Sequence, residues 1–276
     1  MDGICKQGNS DQVREQLKRL PLNLPDTYKQ MWERIKAEGN ERIASKALAW
    51  LLYAVRPLSP EEIIQAVAVE LGSTAFQQHI YPWEHIIAVC GNFVSLDTEQ
   101  NVLRFEHYSV QEFLKGHHEE FKEAGSDIAR TCFTVLSLNE PPPPPDFYDY
   151  VATYWQEHAK SWKDTADPTD PIEQFLFDEV PPQSWTRYTE YERSGCQRLL
   201  HWLGPLKPEP IHLICHSNLI AILRSFFLRR WQNLGTHRVL SEALALAVRS
   251  GCNDIVEFLL TEYPQVDLEI VGKIWS

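Results

Sequence analysis

The sequence lacks the features of secreted and membrane-spanning proteins. None of its six cysteines belongs to a C-x-x-C pair, and no N-x-[ST] glycosylation sequon occurs. A membrane helix needs about 18 consecutive apolar residues, and the nearest candidate, residues 211–228, is interrupted by His212, His216, Asn218 and Arg224. The first ten residues, MDGICKQGNS, are polar and unlike a signal peptide. We therefore expect a cytoplasmic chain without a membrane partner.

Motifs for catalysis and phosphate binding are missing too. The sequence has no G-x-x-x-x-G-K-[ST] loop and no G-x-S-x-G nucleophile elbow. The run His117-His118-Glu119-Glu120 resembles a metal cluster, but H-E-x-x-H would need a second histidine where Lys122 stands, so we favour a polar helix face. Cys215 and His216 are adjacent, and on a helix they point about 100° apart, which rules out a nucleophile–base pair. We expect no enzyme activity, no catalytic or metal-binding residue and no cofactor.

Basic residues are few relative to acidic ones. The chain has 38 acidic and 26 basic residues and a net charge of −12. A surface that negative repels phosphate backbones, so we expect no nucleic-acid partner. The apolar fraction of 43% is nevertheless enough for a folded core.

Helical patterns fill the first 90 residues. Residues 10–37 predict helix that restarts after Pro25, where Tyr28, Met31, Trp32 and Ile35 fall on one face. The strongest helix covers 41–56. Ser59-Pro60-Glu61-Glu62 is a helix start signal for a segment that runs to about Leu71, and another helix is predicted over 82–89.

A hairpin and a further helix follow. Residues 93–96 and 102–105 are short β-type runs on either side of a polar turn. Ser109 can cap the next helix, whose apolar side carries Val110, Phe113, Leu114 and Phe121. Three helices, a hairpin and a helix make the winged-helix arrangement. Winged helices often bind DNA through their third helix, but here that helix has Glu84 and no Lys or Arg, which argues against DNA binding.

The middle of the chain is predicted to be helical with breaks. Helix is expected over 127–138, over the aromatic-rich 146–162 and, with a break near residue 181, over 172–203. The five prolines of 141–145 predict polyproline II, which is either a ligand for an SH3 or WW domain or, as we favour, a stiff spacer, because no basic residue flanks it. A second linker covers 204–210.

The C-terminal part contains an internal repeat. Residues 211–227 (IHLICHSNLIAILRSFF) align with 244–260 (LALAVRSGCNDIVEFLL) at an offset of 33, the ankyrin period. Asn218 occupies the position of Gly251, and both residue types tolerate the left-handed turn that two helices require. Because a repeat buries its apolar face only against a neighbour, we expect the outer face near Phe258 and Leu259 to lack a partner within the chain, and so to be sticky or covered by a protein partner or a second copy.

Residues 14–125 resemble the end of the helical lid and the winged helix of fungal NACHT-type (STAND) ATPases, a domain also described from GPI inositol-deacylase. The motifs that carry the resemblance are LPDTY (24–28), MWERI (31–35), WLLYA (50–54), RPLS (56–59), AVAVE (66–70), VCG (89–91) and RFEHYSVQEFL (104–114). Residues 150–155 (YVATYW) and His158 are similar to the stretch that joins this winged helix to ankyrin repeats.

The resemblance implies four domains: the end of the lid (1–40), the winged helix (41–125), a helical linker region (126–207) and degenerate ankyrin-like repeats (208–276). The expected fold is mainly α. The expected function is that of a non-catalytic interaction or regulatory module, with a protein partner on the ankyrin-like helical surface.

The resemblance also assigns a role to one histidine. In the family, the histidine at the position of His107 contacts the phosphate of bound ADP. Without a phosphate-binding loop, His107 could bind nucleotide only if a nucleotide-binding domain were supplied; otherwise it is a locally bonded histidine at a strand–helix junction. A fragment of a full-length STAND ATPase is the alternative function.

Overall fold

A computed structural model describes residues 24–75, 81–117, 121–138, 145–164, 170–177, 186–189, 209–230 and 237–264. These residues form two compact units. The first unit contains the described residues of 24–67 and 81–122, and the second contains 68–75 and the described residues from 123 onward. Most of them are helical, which confirms the predicted fold class.

The first unit is a winged helix. Its elements are α1 (Leu24–Ala37), α2 (Glu41–Tyr53), α3 (Pro60–Ala68), α4 (Trp83–Val89), β1 (Val94–Asp97), β2 (Val102–Phe105) and α5 (Tyr108–His117). The two strands form an antiparallel hairpin in which Val94 lies opposite Phe105 and Asp97 lies opposite Val102. This order is the predicted one.

Local sequence signals set two of the helix ends. Ser59 and Glu62 form a reciprocal capping box: the Ser59 hydroxyl accepts from the Glu62 N–H at 3.1 Å, and the Glu62 carboxylate accepts from the Ser59 N–H at 2.8 Å. Arg56 donates to both oxygens of the same carboxylate, at 2.9 and 2.6 Å. Helix α2 ends at Tyr53, three residues before its predicted end, because the backbone of Ala54 is already extended, with φ −59° and ψ 140°.

The predicted apolar faces form the core of the first unit. Tyr28, Trp32 and Ile35 of α1 are buried, and Met31 is half-buried. The Trp32 ring contacts the ring of Phe121 at 5.7 Å between centroids. Three of the four predicted apolar side chains, Val110, Phe113 and Leu114, are buried on α5. The fourth, Phe121, is also buried but lies beyond the end of α5 at His117, so its placement on the helix was wrong.

The second unit is helical in its described parts. Its elements are α6 (Ala124–Ser137), α7 (Pro145–Ala159), α8 (Pro171–Phe177), α9 (Pro210–His216), α10 (Ile220–Arg230), α11 (His237–Arg249) and α12 (Asn253–Glu262). Helix α6 packs against α7 and α8. The Phe133 ring lies 5.1 Å from that of Trp155 and 5.6 Å from that of Phe175, so aromatic edges join the three helices.

One residue of the proline run corrects the prediction. Pro145 begins helix α7 and is not part of a polyproline II segment. A proline is tolerated at the first helical position because its missing N–H would have no partner there. Residues 141–144 lie outside the described residues. So do residues 204–208 of the predicted linker 204–210, and residues 178–185 and 190–203 of the predicted helix 172–203.

The 33-residue repeat is visible in the backbone. Asn218 and Gly251 both have positive φ, 56° and 70°, as the alignment predicted. In the first pair of helices the N–H of Leu219 donates to the carbonyl of Ile214 at 3.1 Å, and in the second the N–H of Cys252 donates to that of Ala247 at 2.9 Å. These bonds are 33 residues apart and close the same turn.

The two pairs of helices lie side by side. Helix α9 packs on α11, and α10 packs on α12. The Ser225 hydroxyl of α10 lies 3.5 Å from the Glu173 carboxylate of α8, so the first pair also contacts the helices before it.

Candidate functional site

His107 lies at the junction between β2 and α5, on the surface of the first unit. Its Nδ1 atom accepts a hydrogen bond from the backbone N–H of Ser109 at 3.1 Å. The same nitrogen lies 2.6 Å from the Ser109 hydroxyl, which in turn lies 2.7 Å from the Tyr28 hydroxyl. The amide and the hydroxyl of Ser109 therefore hold the imidazole ring, and the Tyr28 hydroxyl holds the Ser109 hydroxyl in place.

These contacts determine which nitrogen carries the proton. Because the Ser109 N–H points at Nδ1, that atom presents its lone pair, and a neutral ring carries its hydrogen on Nε2. Within the described part of the chain, no hydrogen-bond partner of Nε2 occurs, and the side chain is exposed. The site can thus offer one oriented N–H donor to an anionic or carbonyl oxygen outside the unit.

The support for this site comes from aromatic packing behind it. The Tyr28 ring contacts those of Phe93 at 5.9 Å and Phe113 at 5.4 Å, so the hydroxyl is held by a rigid base. The next residue along the chain, Tyr108, is 68% exposed.

The sequence pattern singles out His107 but not the residues that hold it. Tyr28 was predicted to belong to a packing stripe, and it is buried. Ser109 was predicted to cap the helix, but α5 begins at Tyr108, so Ser109 lies inside the helix and its N–H donates to His107 instead. The contact between Tyr28 and Ser109 spans 81 residues, and no local pattern signals a pairing at that separation.

Metal and thiol chemistry find no support in the described parts of the chain. No group of three or more His, Cys, Asp or Glu side chains there is placed to hold a metal ion. The run 118–120 lies outside the described residues, so the proposed polar helix face there stays a prediction. The thiols of Cys90, Cys132, Cys215 and Cys252 are buried, and burial raises the pKa of Cys90 to about 12. Such a thiol is a poor nucleophile.

The repeat pairs present an exposed face along their second helices. Arg224 of α10 and, one repeat later, Glu257 of α12 are exposed at equivalent positions. The expectation for the last repeat was wrong: Leu259 is fully buried, and Phe258 is half-buried with its ring 5.1 Å from that of Phe227. The exposed apolar residue is Leu260, at 45%. Helix α12 turns Leu259 toward its neighbours α10 and α11, which leaves Leu260 outward.

Comparisons with known proteins agree with the winged helix. Residues 28–129 match the family model described as the winged helix domain of GPI inositol-deacylase. The chain is also similar to the azaphilone pigments biosynthesis cluster protein L of Monascus ruber, at 25% identity. That similarity covers 69% of this chain and 46% of the relative, so the chain spans less than half of the relative's length. No solved structure matches the chain.

None of the described helices is both long enough and apolar enough to cross a bilayer.

Proposed function

We propose that the chain is a non-catalytic protein–protein interaction and regulatory module that resembles the C-terminal regulatory half of a fungal NACHT–ankyrin receptor. The observation that carries the proposal is the pair of stacked helix–turn–helix units with equivalent hydrogen bonds 33 residues apart. Ankyrin-like stacks have this period and bind proteins through their helical surfaces. The winged-helix match over residues 28–129 supports the first part of this proposed architecture.

The proposed partner surface lies on the second helices of the repeats. Arg224, Asp254, Glu257 and Leu260 are exposed on α10 and α12. An apolar residue within a mixed-charge rim is a common composition for a protein interface. The proposal includes a cytoplasmic location, no cofactor and no nucleic-acid partner; helix α4, the third helix of the winged helix, has Glu84 in its first turn and no Lys or Arg.

The experiment that tests the proposal compares three tagged full-length chains in a fungal cell extract. One is the natural sequence and one carries Glu257→Lys with Leu260→Asp. The third carries Glu33→Lys, a charge reversal of an exposed residue in the first unit. Quantitative mass spectrometry should show at least one protein that the double variant captures about tenfold less than the other two chains do. The reason is that losing an interface anchor weakens binding by about 1.4 kcal/mol or more. Identical captured sets for all three chains would contradict the proposed surface.

A second candidate function has its own observation. The exposed Nε2–H of His107, held by Ser109 and Tyr28, has the chemistry of a donor to a phosphate oxygen. In this alternative the chain is part of a full-length STAND ATPase, and the winged helix senses bound ADP. Reading the coding sequence upstream of Met1 for a G-x-x-x-x-G-K-[ST] loop tests it. If that loop is present, His107→Ala in the longer protein should weaken ADP binding, and an unchanged ADP affinity would contradict the assigned role.

A further inference from the structure

Within the part of the chain that the structure describes, the edge of β2 that faces away from β1 is only partly paired. The N–H of Glu106 donates to the carbonyl of Phe93 at 2.9 Å, which marks these two residues as a hydrogen-bonded pair. In an antiparallel hairpin, hydrogen-bonded pairs alternate with non-hydrogen-bonded pairs. Phe105 and Leu103, one and three positions before Glu106, therefore belong to non-hydrogen-bonded pairs and direct their N–H and C=O groups away from β1. The Leu103 N–H reaches the carbonyl of Leu58 at 3.1 Å. For the Leu103 carbonyl and the Phe105 N–H, the described residues supply no partner.

A groove runs along this edge. It has a volume of about 340 Å³ and is lined by all four residues of β2, by the end of α2 and by the segment that follows α2. Trp50 forms part of its apolar wall, and Val55, at its rim, is 46% exposed. The groove therefore places apolar side chains beside the Phe105 N–H donor and the Leu103 carbonyl acceptor on the edge of β2.

The groove lining carries two basic residues and one acidic residue: Arg56, Arg104 and Asp97. The Arg56 guanidinium is already paired with both oxygens of the Glu62 carboxylate. Both oxygens of Asp97 are engaged: one accepts from the N–H groups of Glu99 and Gln100, and the other pairs with Arg104 at 3.1 Å. The Arg104 side chain is 63% exposed, and its other N–H groups have no partner in the described part of the chain. A chain with a net charge of −12 thus has a groove with a cation available at its rim.

We propose that this groove binds an extended segment of a partner protein in which apolar and acidic side chains alternate. The segment adds as a third strand to β2, taking the Phe105 N–H and the Leu103 carbonyl into its backbone hydrogen bonds. Alternate side chains of a strand point to opposite faces. Its apolar residues therefore lie toward Trp50 and Val55, and an acidic residue lies toward Arg104. This surface belongs to the first unit and does not depend on the repeat surface proposed above.

The test uses a fluorescein-labelled peptide, Gly-Val-Glu-Val-Asp-Val-Gly, titrated with the full chain and followed by fluorescence anisotropy. Arg104→Gln should weaken binding about tenfold, as expected for a charge-assisted hydrogen bond, and the peptide with Gln and Asn in place of its two acids should lose a similar factor. Arg34→Gln is the matched control, because Arg34 is similarly exposed, also contacts one carboxylate, and does not line the groove. It should leave the affinity unchanged.

Two methylated peptides test the strand pairing itself. One carries N-methyl groups on its three valines, and the other carries them on its two acidic residues, so each has lost the N–H groups along one edge only. One of them should lose at least tenfold in affinity and the other should bind nearly as before. In ¹H–¹⁵N spectra of the chain, the Phe105 amide should move on titration, while those of Val94 and Leu96 on the opposite edge of the hairpin should not.

Four results would overturn the proposal. Three are no binding up to 1 mM peptide, equal binding of both methylated peptides, and equal effects of Arg104→Gln and Arg34→Gln. The fourth is binding that changes the chemical shifts only of residues outside the groove, which would assign the peptide to another surface.

Discussion

Two aspartates that contact the same arginine should differ widely in their effect on stability. Asp170 is buried, and its Oδ2 accepts from Arg130 Nε at 2.9 Å and from Trp162 Nε1 at 3.2 Å, while its Oδ1 accepts from the Ile172 N–H at 2.9 Å. Asp127 contacts Arg130 Nη1 at 3.2 Å, but its side chain is 57% exposed. The perturbation is Asp→Asn at each position in turn.

The expected loss of unfolding free energy follows from which hydrogen-bond donors each asparagine leaves without an acceptor. An asparagine at 170 can accept from Ile172 with its carbonyl, but its NH₂ group then faces the two donors of Arg130 and Trp162. Breaking a buried ion pair from one side destabilises by about 3–5 kcal/mol. Water can replace the exposed Asp127 carboxylate, so that change should destabilise by less than about 1 kcal/mol.

Urea unfolding of the full chain, followed by circular dichroism at 222 nm, measures both changes. With a slope of about 3 kcal/mol per molar urea, Asp170→Asn should lower the unfolding midpoint by about 1 M or more, and Asp127→Asn by less than about 0.3 M. Equal shifts for the two variants would refute the role assigned to the Asp170 network, because charge loss near Arg130 would then be the whole effect.

Three further predictions use the same chain. Burial, only partly opposed by neighbouring glutamates, lowers the pKa of His158 and of His212 to about 4. Because the unfolded value is about 6.5, unfolding takes up protons between these values, and stability should fall by about 2 kcal/mol per histidine from pH 8 to pH 5; His212→Gln should remove its share in urea titrations. Trp50→Ala removes a side chain of which only 2% is exposed. This change should destabilise the first unit by about 3–5 kcal/mol and lower its melting temperature. Residues 208–276 expressed alone should show no cooperative melt, because α10 contacts α8 through Ser225 and Glu173, whereas residues 126–276 should show one.

For each of these three predictions, one outcome would contradict the reasoning. A pH dependence unchanged in His212→Gln would mean that the ring is solvated in the folded chain. A melting temperature within a degree of the natural one in Trp50→Ala would place Trp50 at an interface, and a cooperative melt of residues 208–276 would show that the repeats need no upstream support.

Local chemistry made much of the fold predictable from the sequence. The Ser59-Pro60-Glu61-Glu62 signal is a capping box in the structure because its two hydrogen bonds involve residues three apart. The left-handed turns at Asn218 and Gly251 follow from the alignment because only a few residue types accept that conformation. Helix order and the hairpin follow from periodicity in the same way.

Long-range contacts were not predictable. The Tyr28–Ser109 bond and the Arg130–Asp170 pair join residues 81 and 40 positions apart, and the residue types alone do not select these partners. The groove beside β2 is formed by the packing of α2, the segment after it and the hairpin, so no sequence motif predicts it. Pro145 was assigned with its proline neighbours although its position just before a helical pattern favours a first helical turn.

Calorimetric titration of the full chain with ATP and with ADP, each with magnesium, tests most directly whether the chain acts as an interaction module without nucleotide chemistry of its own. The sequence contains no phosphate-binding loop, and a single imidazole donor cannot replace the backbone N–H groups of such a loop. The account predicts no saturable binding of either nucleotide. A dissociation constant tighter than about 100 μM, or about 5.5 kcal/mol of binding free energy, that is lost in His107→Ala would contradict it and favour the ADP-sensing alternative.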